Sequence, residues 1–332
     1  MAVVDAEASV EVRDLQKRYG DLEAVRGVTF DVAPGETFGF LGPNGAGKST
    51  TISMLCTLIT PTGGQARVAG SDVARDPLGV RRRIGLVFQD PTLDEYLTAY
   101  ENLRFHAELY RMPKEKVPER IQTVIEMVGL WHRRDDLVRT FSGGMKRRLE
   151  IARGLLHSPR VLFLDEPTVG LDPQTRTNIW EYIQALRDRE RITIFLTTHY
   201  MDEAEYCDRI AIIDNGEIVT LDTPNALKAA IGKDRISMRT DDDDKAKAEL
   251  AERFDLEATV SSEGLIFQVA GGEEFVPNLF AQIDVPIQAV SIARPTLDDV
   301  FMSHTGRTIR DAEASTSERL MNNPMVRARR GR

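Results

Sequence analysis

TFGFLGPNGAGKST, residues 37 to 50, decides the fold. Thr37 to Leu41 is an apolar strand, a glycine-rich loop follows, and Thr50 to Leu58 reads as a helix. Gly42, Pro43, Asn44, Gly45, Ala46, Gly47, Lys48 and Ser49 fill the pattern G-x-x-x-x-G-K-[ST] without a gap, with Thr50 beside them at the helix start. The glycines let the backbone wrap a phosphate chain, and free N–H groups at the helix start donate to it. Lys48 is placed to reach the β and γ oxygens, and the Ser49 hydroxyl to bind Mg²⁺. A loop that only joined a strand to a helix would have no packing use for the Lys-Ser pair.

Working outward, VLFLDEP (161–167) supplies a partner to that loop. Four apolar residues make a buried strand, and Asp165 emerges at its C-terminal end, where ligands collect in α/β sheets. Such an aspartate holds Mg²⁺ through water. Glu166 follows at once, placed to orient or deprotonate an attacking water. A further strand is expected at Thr193 to Thr197, with a helix from about Gln174 to Asp188 between the two. Strand–helix–strand order implies parallel pairing and an α/β fold. FSGGMKRRLEIARGLL (141–156) is a second anion site: Ser142 is an N-cap, paired glycines open the helix, and Leu149, Ile151, Ala152, Leu155 and Leu156 form its apolar stripe. Between the two motifs, Tyr100 to Leu130 has a helical pattern anchored on Leu103, Phe105, Leu109, Ile121, Val124, Ile125 and Val128.

Near residue 235 the character changes. RISMRT, KAKAELAERF, ATVSSEGLIFQVAGG, EEFVPNLFAQI and IQAVSIARP read as strand, helix, hairpin, helix and strand, the β-α-β-β-α-β order of a small ferredoxin-like α+β domain. TLDDVFMSHTG adds a last helix. Before these, Asn215-Gly216 lies between two apolar runs, a hairpin signal, and Thr223-Pro224 marks a helix start. Asp241 to Asp244 read as a solvated turn ahead of a helix rather than a metal site. The expected organisation is a nucleotide-binding domain at 9–230, with a helical subdomain at about 90–158, a C-terminal domain at 235–306 and a disordered tail at 307–332. That tail ends in RARRGR, read as solvated, with contact to anionic lipid as the alternative.

Composition excludes several classes. The chain has 332 residues and a net charge of −9, which disfavours a general nucleic-acid binder. Two cysteines, Cys56 and Cys207, exclude a disulfide framework and suit a reducing compartment. No apolar run approaches the roughly 18–20 residues that cross a membrane, and the N-terminal MAVVDAEASVEVRDL lacks the features of a secretory signal. The expected location is cytoplasmic.

The loop at Gly42–Ser49, then FSGGM, then LDEPTVGLD, in that order, resemble the nucleotide-binding subunit of an ABC transporter over roughly Val10 to Leu227. The resemblance implies ATP and Mg²⁺ as ligands and a homodimer paired head to tail. Ser142, Gly143 and Gly144 of one chain would hold the γ-phosphate of ATP bound to the loop of the other. It further implies that Tyr19 stacks on adenine and that Gln89 contacts Mg²⁺ and the attacking water. Asp172 would cross the dimer interface, and His199 would touch the γ-phosphate. Catalysis would fall to Glu166, His199, Gln89 and Lys48, and the metal to Ser49, Gln89 and Asp165. Met145 departs from the family pattern, whose signature pentad usually ends in Gln. Met cannot supply the amide's hydrogen bonds, which bears on interface geometry rather than on the reaction.

RPTLDDVFMSHTGR (294–307) is similar to the tail of the ATP-binding subunits of daunorubicin/doxorubicin-resistance-like exporters. The resemblance therefore implies a chain that energises efflux of drug-like or other hydrophobic substrates. It would do so through a separate integral-membrane permease, peripheral to the cytoplasmic face of the membrane. Gln89 to Asn102 and the helices after it would receive the permease, with Tyr96 and Tyr100 as anchors or as core. A polysaccharide or natural-product exporter, an importer and a soluble ABC ATPase remain alternatives. A single phosphate loop and the absence of a Cys cluster or long heptad run count against the last.

Overall fold

The computed structural model describes residues 8–261 and 264–305, which form two compact units, 8–223 and 224–305. The first opens with a hairpin of β1 (Val10–Tyr19) and β2 (Leu22–Val32), then β3 (Thr37–Leu41) and α1 (Lys48–Leu55). β4 (Gly63–Val68), β5 (Ser71–Asp72), α2 (Pro77–Arg81) and β6 (Ile84–Val87) follow. A helical stretch has α3 (Ala99–Leu109), α4 (Val117–Met127) and α5 (Gly143–Leu155). The unit closes with β7 (Val161–Asp165), α6 (Pro173–Glu190), β8 (Thr193–Thr198), α7 (Met201–Ala204), β9 (Arg209–Asp214) and β10 (Glu217–Asp222).

The short apolar runs become the centre of a six-stranded sheet in the order β10-β9-β3-β8-β7-β6, in which only β10 runs antiparallel to its neighbour. β3 is buried at all five positions and β8 at all six, as strands covered on both faces must be. A second, antiparallel sheet has the order β2-β1-β4-β5. Its strands alternate, and Val10, Val12, Leu15, Val28 and Phe30 enter a core shared with Phe38, Phe40, Phe163 and Phe195 of the large sheet. α1 adds Ile52, Met54 and Leu55 to that core, so the helix that follows the phosphate loop is fixed on its buried side.

Three details differ from the expectation. α1 begins at Lys48 and ends at Leu55, because Thr57 turns left-handed (φ 60°) and Leu58 N–H donates to Ser53 O at 2.8 Å, a Schellman-type stop. The 100–130 stretch is two helices, parted where Arg111 is left-handed and Pro113 cannot continue the helix. Phe105 and Leu109, expected as core anchors, are 59% and 62% exposed: α3 buries the stripe Ala99, Asn102, Leu103 and Ala107, and these two fall outside it. Leu103, Ile121, Val124, Ile125 and Val128 are fully buried.

The second unit contains α8 (Pro224–Ile231), β11 (Asp234–Thr240), α9 (Asp243–Phe254), β12 (Thr259–Ser261), β13 (Gly264–Val269), α10 (Gly272–Gln282), β14 (Ile287–Ala293) and α11 (Leu297–Thr305). Its antiparallel sheet has the order β12-β13-β11-β14, the ferredoxin-like arrangement, over a core of Ile236, Met238, Leu250, Leu265, Phe267 and Leu279. The division falls at Thr223, earlier than the expected 230, because α8 packs on α11 and so joins the second unit. Asp242 caps α9 by accepting from Lys245 N at 3.0 Å, and Asp243 accepts from Thr240 N, so the acidic run is a helix cap. Among the described residues no three His, Cys, Asp or Glu cluster to hold a metal, and no helix is long and apolar enough to cross a membrane. The expected tail at 307–332 lies outside the described residues.

Candidate active site

β3 delivers the chain to the loop, and three neighbours shape it. Gly42 N–H donates to Thr198 O at 3.2 Å, which ties the loop to the end of β8. The Asn215-Gly216 turn of the β9–β10 hairpin, with φ of 48° and 84°, donates from Gly216 N–H to Ala46 O at 2.9 Å. Gly47 has φ 106°, and a Cβ there would stand 2.6 Å from Ala24 O on β2, so only glycine satisfies both the turn and the strand beside it.

Lys48 is 4% exposed, and its ammonium donates to Gly42 O at 2.6 Å and Pro43 O at 3.1 Å. It lies 3.3 Å from Glu166 Oε1. The same carboxylate oxygen is 3.3 Å from Nδ1 of His199, which follows β8 directly. Burial pushes the Glu166 carboxyl up, but His199 and Lys48 outweigh it and hold it below the usual carboxylate range. Glu166 is therefore held as an anion, with Lys48 Nζ and His199 Nδ1 both near one of its oxygens. Its backbone is left-handed (φ 46°), uncommon for a residue with a side chain.

Asp165 stands next to it at the end of β7. Its Oδ1 accepts from Thr197 Oγ1 at 2.5 Å and from Ser49 Oγ at 3.2 Å. Burial raises its pKa, against the pull of those two hydroxyls. Thr197 does double duty: Glu166 N–H donates to both its carbonyl and its hydroxyl. Nothing in the sequence distinguished Thr197 from an ordinary β8 residue; only the parallel register that sets it opposite Asp165 gives it this role.

Lys48, Ser49, Asp165, Glu166 and His199 thus converge at the C-terminal ends of β3, β7 and β8. The other expected residues stand elsewhere. Ser142 caps α5, accepting from Met145 N at 3.3 Å, while a Cβ on Gly144 would meet Thr175 Cγ2 at 2.5 Å. Asp172 caps α6 through Thr175 N and Thr175 Oγ1, at 3.0 and 2.6 Å. Tyr19, 47% exposed at the tip of the β1–β2 hairpin, has the Lys17 ammonium 5.0 Å from its ring centroid. Gln89 is exposed, two residues past the end of β6.

A phosphate loop opening onto a helix, with a lysine and two carboxylates converging on it from a parallel sheet, defines a P-loop nucleotide hydrolase. Residues 25–169 match the family described as ABC transporter, and residues 223–305 match the C-terminal domain of DrrA1-3-like ATP-binding proteins. The linearmycin resistance ATP-binding protein LnrL of Bacillus subtilis is 37% identical over 91% of this chain and 100% of its own length. The daunorubicin/doxorubicin resistance ATP-binding protein DrrA of Streptomyces peucetius is 38% identical over 94% of this chain and 98% of its own. The Nod factor export ATP-binding protein I of Paraburkholderia xenovorans is 39% identical over 92% and 99%. Among solved structures, cbiO1 of Clostridium perfringens, part of the transporter complex cbiONQ, is 27% identical with a TM-score of 0.63, covering 75% of this chain and 96% of that one. The dimeric cassette MJ0796 in a post-hydrolysis state with ADP and Pi is 28% identical with a TM-score of 0.58, covering 64% and 98%. The chain belongs to the ABC transporter ATP-binding proteins, with a DrrA-like C-terminal domain. It binds and hydrolyses ATP.

Proposed function

We propose that the chain energises an exporter from the cytoplasmic face of the membrane, as a homodimer bound to a separate integral-membrane permease. The observation that carries this reading is the extent of the likeness. Relatives named for drug resistance or export align over both units, including the C-terminal domain, at nearly full length. Drug-like or other hydrophobic molecules are the cargo this favours. The relatives named for Nod factor export support a natural-product exporter as the second reading.

In this account Gly42 to Thr50 wrap the phosphates, Lys48 neutralises the β and γ oxygens, and Tyr19 stacks on adenine. Glu166, kept ionised by its neighbours, orients and deprotonates the attacking water, with Gln89 beside it, and His199 donates toward the γ-phosphate. The Ser49 hydroxyl and the Asp165 carboxylate are a hard oxygen pair suited to Mg²⁺, which takes few protein ligands beside nucleotide phosphates; Gln89 is the third candidate. Bound there, the ion would offset the charge that develops on the phosphates. Ser142, Gly143 and Gly144 stand in a group of their own in each chain. A head-to-tail dimer gives them a use, capping the γ-phosphate on the partner's loop while Asp172 crosses the interface. Closure over two such sites is the work delivered to the permease, and hydrolysis reopens the dimer.

Recovery of the Glu166→Gln chain with ATP from mild-detergent membranes of its host tests the reading. A multi-span membrane protein in equal amount is expected. Ribosomes, DNA or no membrane protein would leave the ATPase in place and overturn its role in transport.

A further inference from the structure

The KRR run at the start of α5 looks like a solvated face, yet Arg147 is 6% exposed and Glu150, one turn on, is 1% exposed. All five guanidinium N–H groups find acceptors. Nε donates to Pro167 O; Nη1 donates to Phe88 O and to Glu150 Oε2, the latter at 3.2 Å. Nη2 donates to Asp165 O at 3.2 Å and Glu166 O at 3.0 Å. Glu150 in turn accepts from Thr92 N at 2.7 Å, and Arg153 Nη1 donates to Thr92 O at 2.9 Å. One side chain on α5 therefore holds three consecutive carbonyls, 165 to 167, while it and its neighbours hold both flanks of Gln89, at Phe88 and Thr92.

Stability alone does not account for this arrangement. A buried ion pair is often matched or bettered by apolar residues of similar size. Apolar residues cannot, however, fix the direction of three peptide groups. Glu166 needs such fixing: its left-handed backbone is a conformation that persists only when its surroundings impose it. Two of the carbonyls held by Arg147 flank that residue.

We propose that Arg147, braced by Glu150, is a positioning residue for hydrolysis. It sets the Glu166 carboxylate and the Gln89 loop relative to the N-terminus of α5, so that a phosphate seated at Ser142–Gly144 and the base of the same chain keep a fixed relation. The proposal rests on Glu166 being the base. Because the buried Arg147 guanidinium is spent on backbone carbonyls and on Glu150, its loss should fall on turnover and not on binding.

Two variants that keep the interior filled test this in the full-length chain. Arg147→Lys retains the charge opposite Glu150 but lacks the fork that spans the carbonyls. The double variant Arg147→Met, Glu150→Met replaces the pair by apolar residues of similar volume. In both, kcat should fall about 10- to 100-fold, the scale of a small misplacement of a reacting group. KM for ATP and the Kd of a non-hydrolysable analogue should stay within about threefold, and Tm should stay well above the assay temperature. A kcat within about threefold of wild type in either variant, a loss confined to KM, or unfolding of both variants would overturn the proposal. Glu166→Gln run alongside separates the causes. If it turns over normally, the base assignment fails; if it is inactive while Arg147→Lys is active, only the positioning role fails.

Discussion

Glu166→Gln is expected to bind ATP with near-normal affinity and to hydrolyse it about 10²- to 10⁴-fold more slowly, the contribution of a general base. Gln keeps the volume and one acceptor oxygen, so the contacts at 3.3 Å to Lys48 and His199 lose charge but not shape. What it cannot do is take a proton. The variant should therefore accumulate as an ATP-bound closed dimer, visible as a nucleotide-dependent doubling of mass in size-exclusion chromatography with light scattering. Turnover near the wild-type rate would remove Glu166 from the role of base.

Lys48→Ala should fail one step earlier. The ammonium is buried and meets Gly42 O, Pro43 O and Glu166, so its position inside the loop is already fixed. A charge-assisted hydrogen bond contributes about 1.5–3 kcal/mol, so ATP affinity should drop roughly 10- to 150-fold. Titration with a fluorescent ATP analogue measures it directly, and wild-type affinity would contradict the placement of the nucleotide at Gly42–Ser49. Alanine also removes a neighbour that lowers the Glu166 pKa, so that carboxyl should titrate at higher pH in the variant.

Much of this site could be read from the chain because its residues sit at the ends of strands. An apolar run that ends in Gly42 or in Asp165 says both what is buried and what emerges, and parallel pairing then brings those ends together. The Asn215-Gly216 turn and the second unit's strand order were legible for a similar reason: turn residues and period-two alternation are local signals. The contacts that hold the site were not legible. Thr197 gained its role from register, and Arg147 from the depth at which α5 lies. The charges of KRR gave no sign that the second would point inward while Lys146 pairs with the exposed Glu95. Phe105 and Leu109 mislead in the opposite sense, since an apolar side chain on an exposed stripe has the same periodicity as one in the core. The short reach of Gly144 to Thr175 likewise exists only once α5 and α6 are packed.

On the proposed function, the loop at Gly42–Ser49 and the helix start at Ser142–Gly144 serve two shared sites, one half from each chain. Mixing two inactive variants tests it most directly. Lys48→Ala spoils the loop and leaves Ser142 intact; Ser142→Arg spoils the helix start and leaves the loop intact. In a mixed dimer one site combines the two good halves and the other combines the two bad ones. With random pairing at equal amounts, ATPase activity should return to about a quarter of wild type, since half the dimers carry one good site of two. Activity no greater than the sum of the two variants alone, with both folded and both able to dimerise with wild type, would contradict the shared site.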